Sequence, residues 1–423
     1  MVGVVPPGLG EAYVNQHIAL LRPVPSINPQ GLAYLLLDPG RAQGVLRKAQ
    51  YGAVKAGLSL DQVRLLEVVF PPQAELERIL ESIDGYLSRI DESAGLLQRV
   101  HHNLRRYRAS VLQSAVTGRL VPTEAELARA EGRSYEPASV LLKRILAERR
   151  RRWGESGKRG QYVEPEPPDT SGFPELPEGW CWTTLDSIAE VKGGLAKGQT
   201  RRVGSLLMEV PYLRVANVQR GRLDLSSVKT IEATEEEIAE LLLVPGDVLL
   251  NEGGDRDKLG RGWVWNGELP TCIHQNHVFR ARLFLGCVLP KFVSCYANSQ
   301  GQAYFQSQGK QTTNLASISL SKLRRLPVAV PPTREQERIL AEVEQLLSVA
   351  DESSLWLASA KERCHRLRQS ILKWAFEGKL VDQDPADEPA SVLLERIKAE
   401  QTSMTTTGKT GPKTRPPRRR TRS

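Results

Sequence analysis

DESAGLLQRVHHNLRRYRASVLQSAVTGRLV (91–121) returns as DESSLWLASAKERCHRLRQSILKWAFEGKLV (351–381), 260 residues later. The same offset holds upstream, where LSLDQVRLLEVVFPPQAELERIL (58–80) lies over ISLSKLRRLPVAVPPTREQERIL (318–340). It also sets NQHIALLRP (15–23) over QNHVFRARL (275–283), pairing His17 with His277 and Arg22 with Arg282. Downstream, PASVLLKRILAE (137–148) comes back as PASVLLERIKAE (389–400), the second copy being eight residues shorter in between. Periods of about 20–50 residues signal solenoids. A period of 260 residues instead means two copies of one domain, each followed by a helical segment.

The helical segments carry a seven-residue apolar stripe. In the first copy it runs Leu76, Ile83, Ile90, Leu97, Leu104, Val111, with Ile79, Tyr86, Val100 and Tyr107 at companion positions. The second copy repeats it as Val343, Ala350, Leu357, Cys364 and Ile371, with Ile339, Leu346, Ala360, Leu367 and Trp374 alongside. Such a stripe predicts a long helix packed in coiled-coil fashion. About 45 residues at about 1.5 Å each give a rod of roughly 65 Å. Each rod starts after a Pro-Pro pair (71–72, 331–332), which suits a first helical turn. Each loses its pattern near a glycine, Gly118 or Gly378, and a shorter helix is expected at 138–152 and at 390–401.

Between the rods the pattern is mixed. Residues 174–330 read as α/β or α+β, with short strands such as VPYLRVANV (210–218) and GDVLLNEGG (246–254) between turns rich in Gly, Asn and Asp. A polar linker, GESGKRGQYVEPEPPDTSG (154–172), precedes this domain, and residues 1–70 match only its last part. No run approaches 18 apolar residues, so no membrane span is expected, and the opening residues lack the sections of a signal peptide. Five cysteines (181, 272, 287, 295, 364) without paired spacing predict reduced thiols and a cytoplasmic protein. Of the formal charge of +9, the segment GKTGPKTRPPRRRTRS (408–423) supplies seven cations and no acid, leaving +2 for the rest. That tail has the composition of a disordered segment, and it would add salt-sensitive attraction to phosphates or serve only as a solubilising extension.

FPELPEGWCWTTLDSIAEVKGG (173–194) resembles the opening of a target-recognition domain in the specificity subunits of type I restriction–modification enzymes. GDVLLNEGG, the NQH-type strand, the ISLSKLRRLPVAVPPTREQERIL junction and the two helical repeats resemble that family in the family's order, to about residue 402. The resemblance implies an α+β protein in which two tandem α/β recognition domains, the first incomplete, alternate with two long coiled-coil-forming helices. It divides the chain into 1–70 (incomplete first recognition domain), 71–153 (central helical region), 154–172 (linker), 173–330 (second recognition domain), 331–402 (C-terminal helical region) and 403–423 (basic tail).

It further implies a non-catalytic reader of a bipartite site in double-stranded DNA. The helices would act as spacer and dock methyltransferase subunits, which in turn support restriction (motor–nuclease) subunits. No cofactor is expected on this chain; S-adenosylmethionine, ATP and Mg belong to the partners. Two other readings stand beside this one, a coiled-coil scaffold without a DNA role and a non-functional truncated gene product.

Residue chemistry agrees with the absence of catalysis. There is no N-P-P-aromatic tetrad, no G-x-G-x-x-G after a strand, and GKRG (157–160) and GKQTT (309–313) lack Walker spacing. Cys272, His274, His277 and Cys287 suggest zinc at first sight, but of these only His277 has an equivalent ligand in the first copy, and no metal site is expected. Base reading in a major groove needs Arg or Lys for guanine and Asn or Gln for adenine. Candidates in the full domain are Lys197, Thr200 and Arg201 after VKGG, Arg214 and Asn217 in YLRVANV, and Asn251, Asp255, Arg256 and Lys258 in LLNEGGDRDK. The strongest set is Lys310, Gln311, Thr312, Thr313 and Asn314, where the family resemblance implies a DNA-facing loop. In the first copy RKAQYGAVK (47–55) replaces SQGKQTTNL (307–315), which makes Lys48, Gln50, Tyr51 and Lys55 the matching contacts.

Subtracting the repeat from the second domain's opening places the first domain's opening at about position −86, and the chain starts at the equivalent of Arg261. Residues 1–70 are therefore expected to form a partial reader, with Val14, Ile18 and Leu20 lacking their usual cover.

Overall fold

A computed structural model of the chain describes residues 2–39, 43–44, 59–157, 159–198, 205–254, 258–311 and 316–407. The protein forms two compact units, one of residues up to His102 together with those from Ser354 onward, the other Asn103–Ser353. The predicted rods are the helices Gln73–Val116 and Thr333–Phe376, each 44 residues long and offset end for end by the repeat. Each stops at a glycine of positive φ, Gly118 or Gly378. A Cβ at Gly118 would lie 2.5 Å from Cγ of Pro177, so glycine there both reverses the chain and lets the 177–180 segment rest on the helix end.

In the first unit the long helices pair antiparallel around Ile79, Ile83, Ile371, Leu372 and Ala375. Arg78 closes one flank on Asp387 at 2.7 Å, and Arg368 bonds Asp91 farther along. Helix Pro29–Leu37, capped by the Asn28 side chain, lies against this pair, with Gly31 set over Leu76 and Tyr34 Oη donating to Asp84 at 2.9 Å. Helix Ala390–Thr407 is tied to the same unit where Ser26 Oγ donates to Glu400 at 2.9 Å.

The second unit contains the same antiparallel pairing. Its ion pair Arg108–Asp351, at 2.6 Å, is the repeat-related copy of Arg368–Asp91 with the roles of the two helices exchanged. The stripe itself is buried at Leu76, Ile83, Val111, Val343, Ala350 and Ile371 and half-buried at Ile90, Leu97, Leu104, Leu357 and Cys364. The companion positions differ from expectation: Tyr86, Val100, Tyr107, Leu367 and Trp374 face solvent. A pair of helices covers only a narrow strip of each partner, so the wider apolar face remains open.

The shorter helices occupy Ala138–Glu155 and Ala390–Thr407, longer than expected. A further helix, Glu124–Glu131, occupies the stretch by which the first copy is longer, and Thr123 and Glu126 form its capping box.

The α/β domain expected at 173–330 lies within the second unit. Strand β1 (Cys181–Thr184) pairs antiparallel with β14 (Pro327–Val330), joining the domain's first and last strands. An antiparallel sheet has the order β2 (Ala189–Lys192), β11 (Val278–Leu283), β7 (Val248–Asn251), β9 (Gly262–Val264). A second sheet sets β3 (Met208–Leu213) between β10 (Ile273–His274), parallel, and β6 (Lys229–Ala233), antiparallel. The hairpin β4 (Val218–Gln219) with β5 (Arg222–Leu223), and the set β12 (Lys310–Gln311), β13 (Ala316–Ser317), β8 (Gly253–Gly254), complete it. The expected strand at 210–218 is therefore two strands separated by the turn at 214–217. Helix Pro290–Asn298 and the long helices cover the four-stranded sheet through a core containing Phe292, Val293, Phe279, Val343 and Ile339.

A buried polar joint fastens domain to helices. Trp180 Nε1 and the Glu124 backbone N–H both donate to the Glu335 carboxylate at 2.8 Å, while Arg133 and Arg338 bond Glu124, each at 2.6 Å. Burial pushes the Glu335 carboxyl above the usual range despite these donors.

Candidate nucleic-acid interface

Described parts of three of the predicted loops meet at one end of the α/β domain. β13 pairs with β12 on one side and with β8 on the other, which brings the KQ segment and the NEGG segment into one small sheet. Ile318 N donates to Glu252 O and Glu252 N to His277 O, both at 2.9 Å, and so join this sheet to the start of β11. The loop after VKGG reaches the same place. Leu195 N donates to His274 O at 2.8 Å, and Asn276 N to Leu195 O at 3.0 Å. Gly194 makes this approach feasible, since a Cβ there would fall 2.0 Å from His274 O. Short strands carry these loops, anchored by buried Leu195, Ala316 and Ile318.

Lys197 and Lys310 are exposed here, and among the described residues neither has a carboxylate partner. Lys258 sits half-buried with its Cβ against Gly254. Gln311 is placed by its backbone in β12. Arg214 is half-buried and donates through Nη2 to Ser227 O at 3.3 Å, which turns it inward.

Two candidates are corrected. Asn217 is buried; its Oδ1 accepts from Arg214 N at 3.0 Å, and its Nδ2 donates to Asp224 O and Ser227 O at 2.8 and 3.0 Å. Asn251 is fully buried and donates to Val218 O at 2.8 Å. Both asparagines hold turns together and neither can reach a base edge. Sequence alone favours a reading role because Asn at a turn looks the same in either use. Thr200, Arg201, Asp255, Arg256, Thr312, Thr313, Asn314, Lys48, Gln50, Tyr51, Lys55 and the tail 408–423 lie outside the described residues.

The cysteine and histidine group does not converge as ligands. Cys272 is in the core, and buried His274 bonds Val278 O through Nδ1 at 2.6 Å, its pKa pushed down to about 4 by burial. His277 instead bonds the Glu252 carboxylate at 2.5 Å. Among the described residues no three His, Cys, Asp or Glu side chains are grouped to hold a metal ion. No helix of the described residues is long and apolar enough to cross a membrane.

The arginine run at 149–152 is spent on structure rather than on a basic patch. Arg149 bonds Asp186 at 2.9 Å and Tyr162 Oη at 2.9 Å, Arg150 lies over the Tyr162 ring, and Arg152 donates to Phe284 O at 2.6 Å. These contacts pin the start of the 154–172 linker to the helix before it. Sequence reading missed Glu252 and the joint at Glu335, because each depends on a partner far along the chain.

The fold and the site define a class: a protein of mixed helix and strand, in which long paired helices carry an α/β domain with a loop-bearing end. Comparison with known proteins finds relatives at low identity over most of the chain. The chain is 26% identical over 373 residues to the EcoKI type I restriction enzyme specificity subunit of Escherichia coli K12, covering 84% of this chain and 69% of that one. It is 25% identical over 409 residues to the StySPI specificity subunit of Salmonella potsdam, covering 92% and 76%. No protein-family model matches it. Among solved structures, a chain from work on complex assembly and conformational transition of the type I R-M system superposes with a TM-score of 0.50, at 18% identity over 83% of this chain and 71% of that one. The curated homologues are thus type I restriction enzyme specificity subunits, and the solved structure shares the fold.

Proposed function

We propose that this chain reads double-stranded DNA and serves as the scaffold of a cytoplasmic type I restriction–modification complex. The observation that carries the reading is the meeting of the Leu195–Lys197 segment, the Gly253–Gly254 strand with Lys258, and the Lys310–Gln311 and Ala316–Ser317 strands at one end of an otherwise well-packed domain. Exposed donors on short loops, positioned by a sheet, suit groove contacts. The resemblance of the whole chain to specificity subunits supports the same conclusion.

The docking half rests on the long helices. In the first unit, Trp356, Leu367 and Trp374 share one face of helix Thr333–Phe376 and are all exposed. A face with two open tryptophans is the composition of a protein interface. Methyltransferase subunits are its proposed occupants, with restriction subunits beyond them. In this reading S-adenosylmethionine, ATP and Mg serve the partners, and the chain itself binds none.

The test is methylation mapping combined with mobility shifts, using the full chain and methyltransferase subunits. Alanine at Lys310, Gln311, Thr312 and Asn314 is expected to erode sequence preference by about 1–3 kcal/mol for each lost base contact. General affinity should fall much less. Retention of full discrimination by that variant would move the reading elsewhere. A complex that retards no duplex would favour a pure scaffold.

A further inference from the structure

We infer that His277, held by Glu252, is a contact to the DNA backbone: its ring donates to a phosphodiester oxygen common to every sequence. The inference rests on the DNA-reading function proposed above. An ionised carboxylate can only accept, so the 2.5 Å contact requires the proton on Nδ1 of His277. That leaves Nε2 on the outer edge of the ring, and the side chain is 54% exposed. Donation from Nε2 belongs to the imidazolium form, in which both ring nitrogens carry protons and one faces Glu252 while the other faces outward. The Glu252 backbone is held on both sides, donating to His277 O and accepting from Ile318 N, which sets the side chain beside the His277 ring. The pair therefore sits at the junction of the loops that carry Lys197, Lys258 and Lys310.

The repeat separates backbone contact from base reading. His17 stands in the first copy where His277 stands in the second, and it is exposed as well. The loops meant to read sequence differ between the copies, RKAQYGAVK against SQGKQTTNL. A polar, solvent-facing residue kept where the readers diverge serves what both half-sites share, which is phosphate. A base selector would have changed with the loops. A core residue would be buried, as His274 is.

The experiment uses the full-length chain with methyltransferase subunits. Equilibrium binding is measured on a duplex carrying the mapped site and on a scrambled duplex, between about 50 and 200 mM salt. His277→Ala should weaken both duplexes by the same factor, about tenfold. The slope of log K against log salt should become shallower by about 0.9, the signature of one lost phosphate contact. His277→Arg should restore the slope, because it returns a cation without the imidazole, and melting temperatures should stay level across the set. An unchanged slope overturns the inference. So does a loss confined to the mapped site, which means base reading, or a loss that tracks melting temperature and that arginine does not rescue, which means a structural role. If the wild-type complex binds neither duplex, the functional reading itself fails, an outcome distinct from a wild type that binds and a variant that binds equally.

Discussion

Residues 14–23 and 274–283 have closely related patterns and opposite fates. Val278, Arg280 and Ala281 are 0%, 1% and 0% exposed in β11, whereas their counterparts Ile18, Leu20 and Leu21 are 56%, 46% and 45% exposed. β11 is flanked by β2 and β7, which satisfy its backbone on both edges, and its side chains pack into apolar clusters, Phe279 and Ala281 in one and Val278 in another. Among the described residues the 18–23 segment pairs with no strand. An alternating apolar segment is thus a strand only when neighbours accept its hydrogen bonds. The helices teach the reverse. They pair in the same way in both units, because each copy brings its own partner face.

The largest expected difference tests the strands. Val278→Asp places a charge between two strands and should cost about 4 kcal/mol or more. Ile18→Asp, at an exposed site, should stay within about 0.5 kcal/mol. Thermal melts of the two variants measure this, and similar losses would mean that 14–23 is packed after all. Next come the repeat-related seam positions Ile83 and Val343, both buried. Aspartate at either should cost about 3 kcal/mol, and a strong inequality between them would break the equivalence of the helix pairs.

A smaller effect belongs to the joint. Trp180→Phe leaves Glu335 short of one donor and should cost about 1–2 kcal/mol. Glu75, the residue equivalent to Glu335, has no hydrogen-bond partner among the described residues, so Glu75→Gln should change little. The joint also predicts a pH dependence. Because the folded pKa of Glu335 is raised above its ordinary 4.5, the folded form holds its proton more tightly than the unfolded chain does. Its contribution is full below the unfolded pKa and is lost as pH rises through the folded pKa. Wild type should therefore gain on Glu335→Gln as pH falls through that window, measured by chemical denaturation at stepped pH. Parallel stability curves for the two proteins would remove Glu335 from the titration.

Much of the architecture was legible in the residues themselves. The repeat located both long helices, because a seven-residue stripe opened by Pro-Pro and ended by glycine is a local signal. Loop candidates were legible as clusters of turn residues but not as readers. Lys310 and Asn251 look equally suited to a base in sequence, yet one is exposed and the other fully buried. Whether a polar side chain faces outward depends on which strands cross beside it.

By itself, the sequence determined two copies of a helix-plus-domain unit, the antecedents of each helix end, and the divergence of the loops between copies. Only the tertiary structure decided that Tyr86, Val100, Leu367 and Trp374 stay outside the helix seam. It likewise decided that Asn217 and Asn251 fasten turns, that the arginine run clamps the linker, and that Glu252 orients His277. The physical reason is range: propensity and periodicity act over a few turns of chain, whereas burial and hydrogen-bond partnership are set by residues tens to hundreds of positions away.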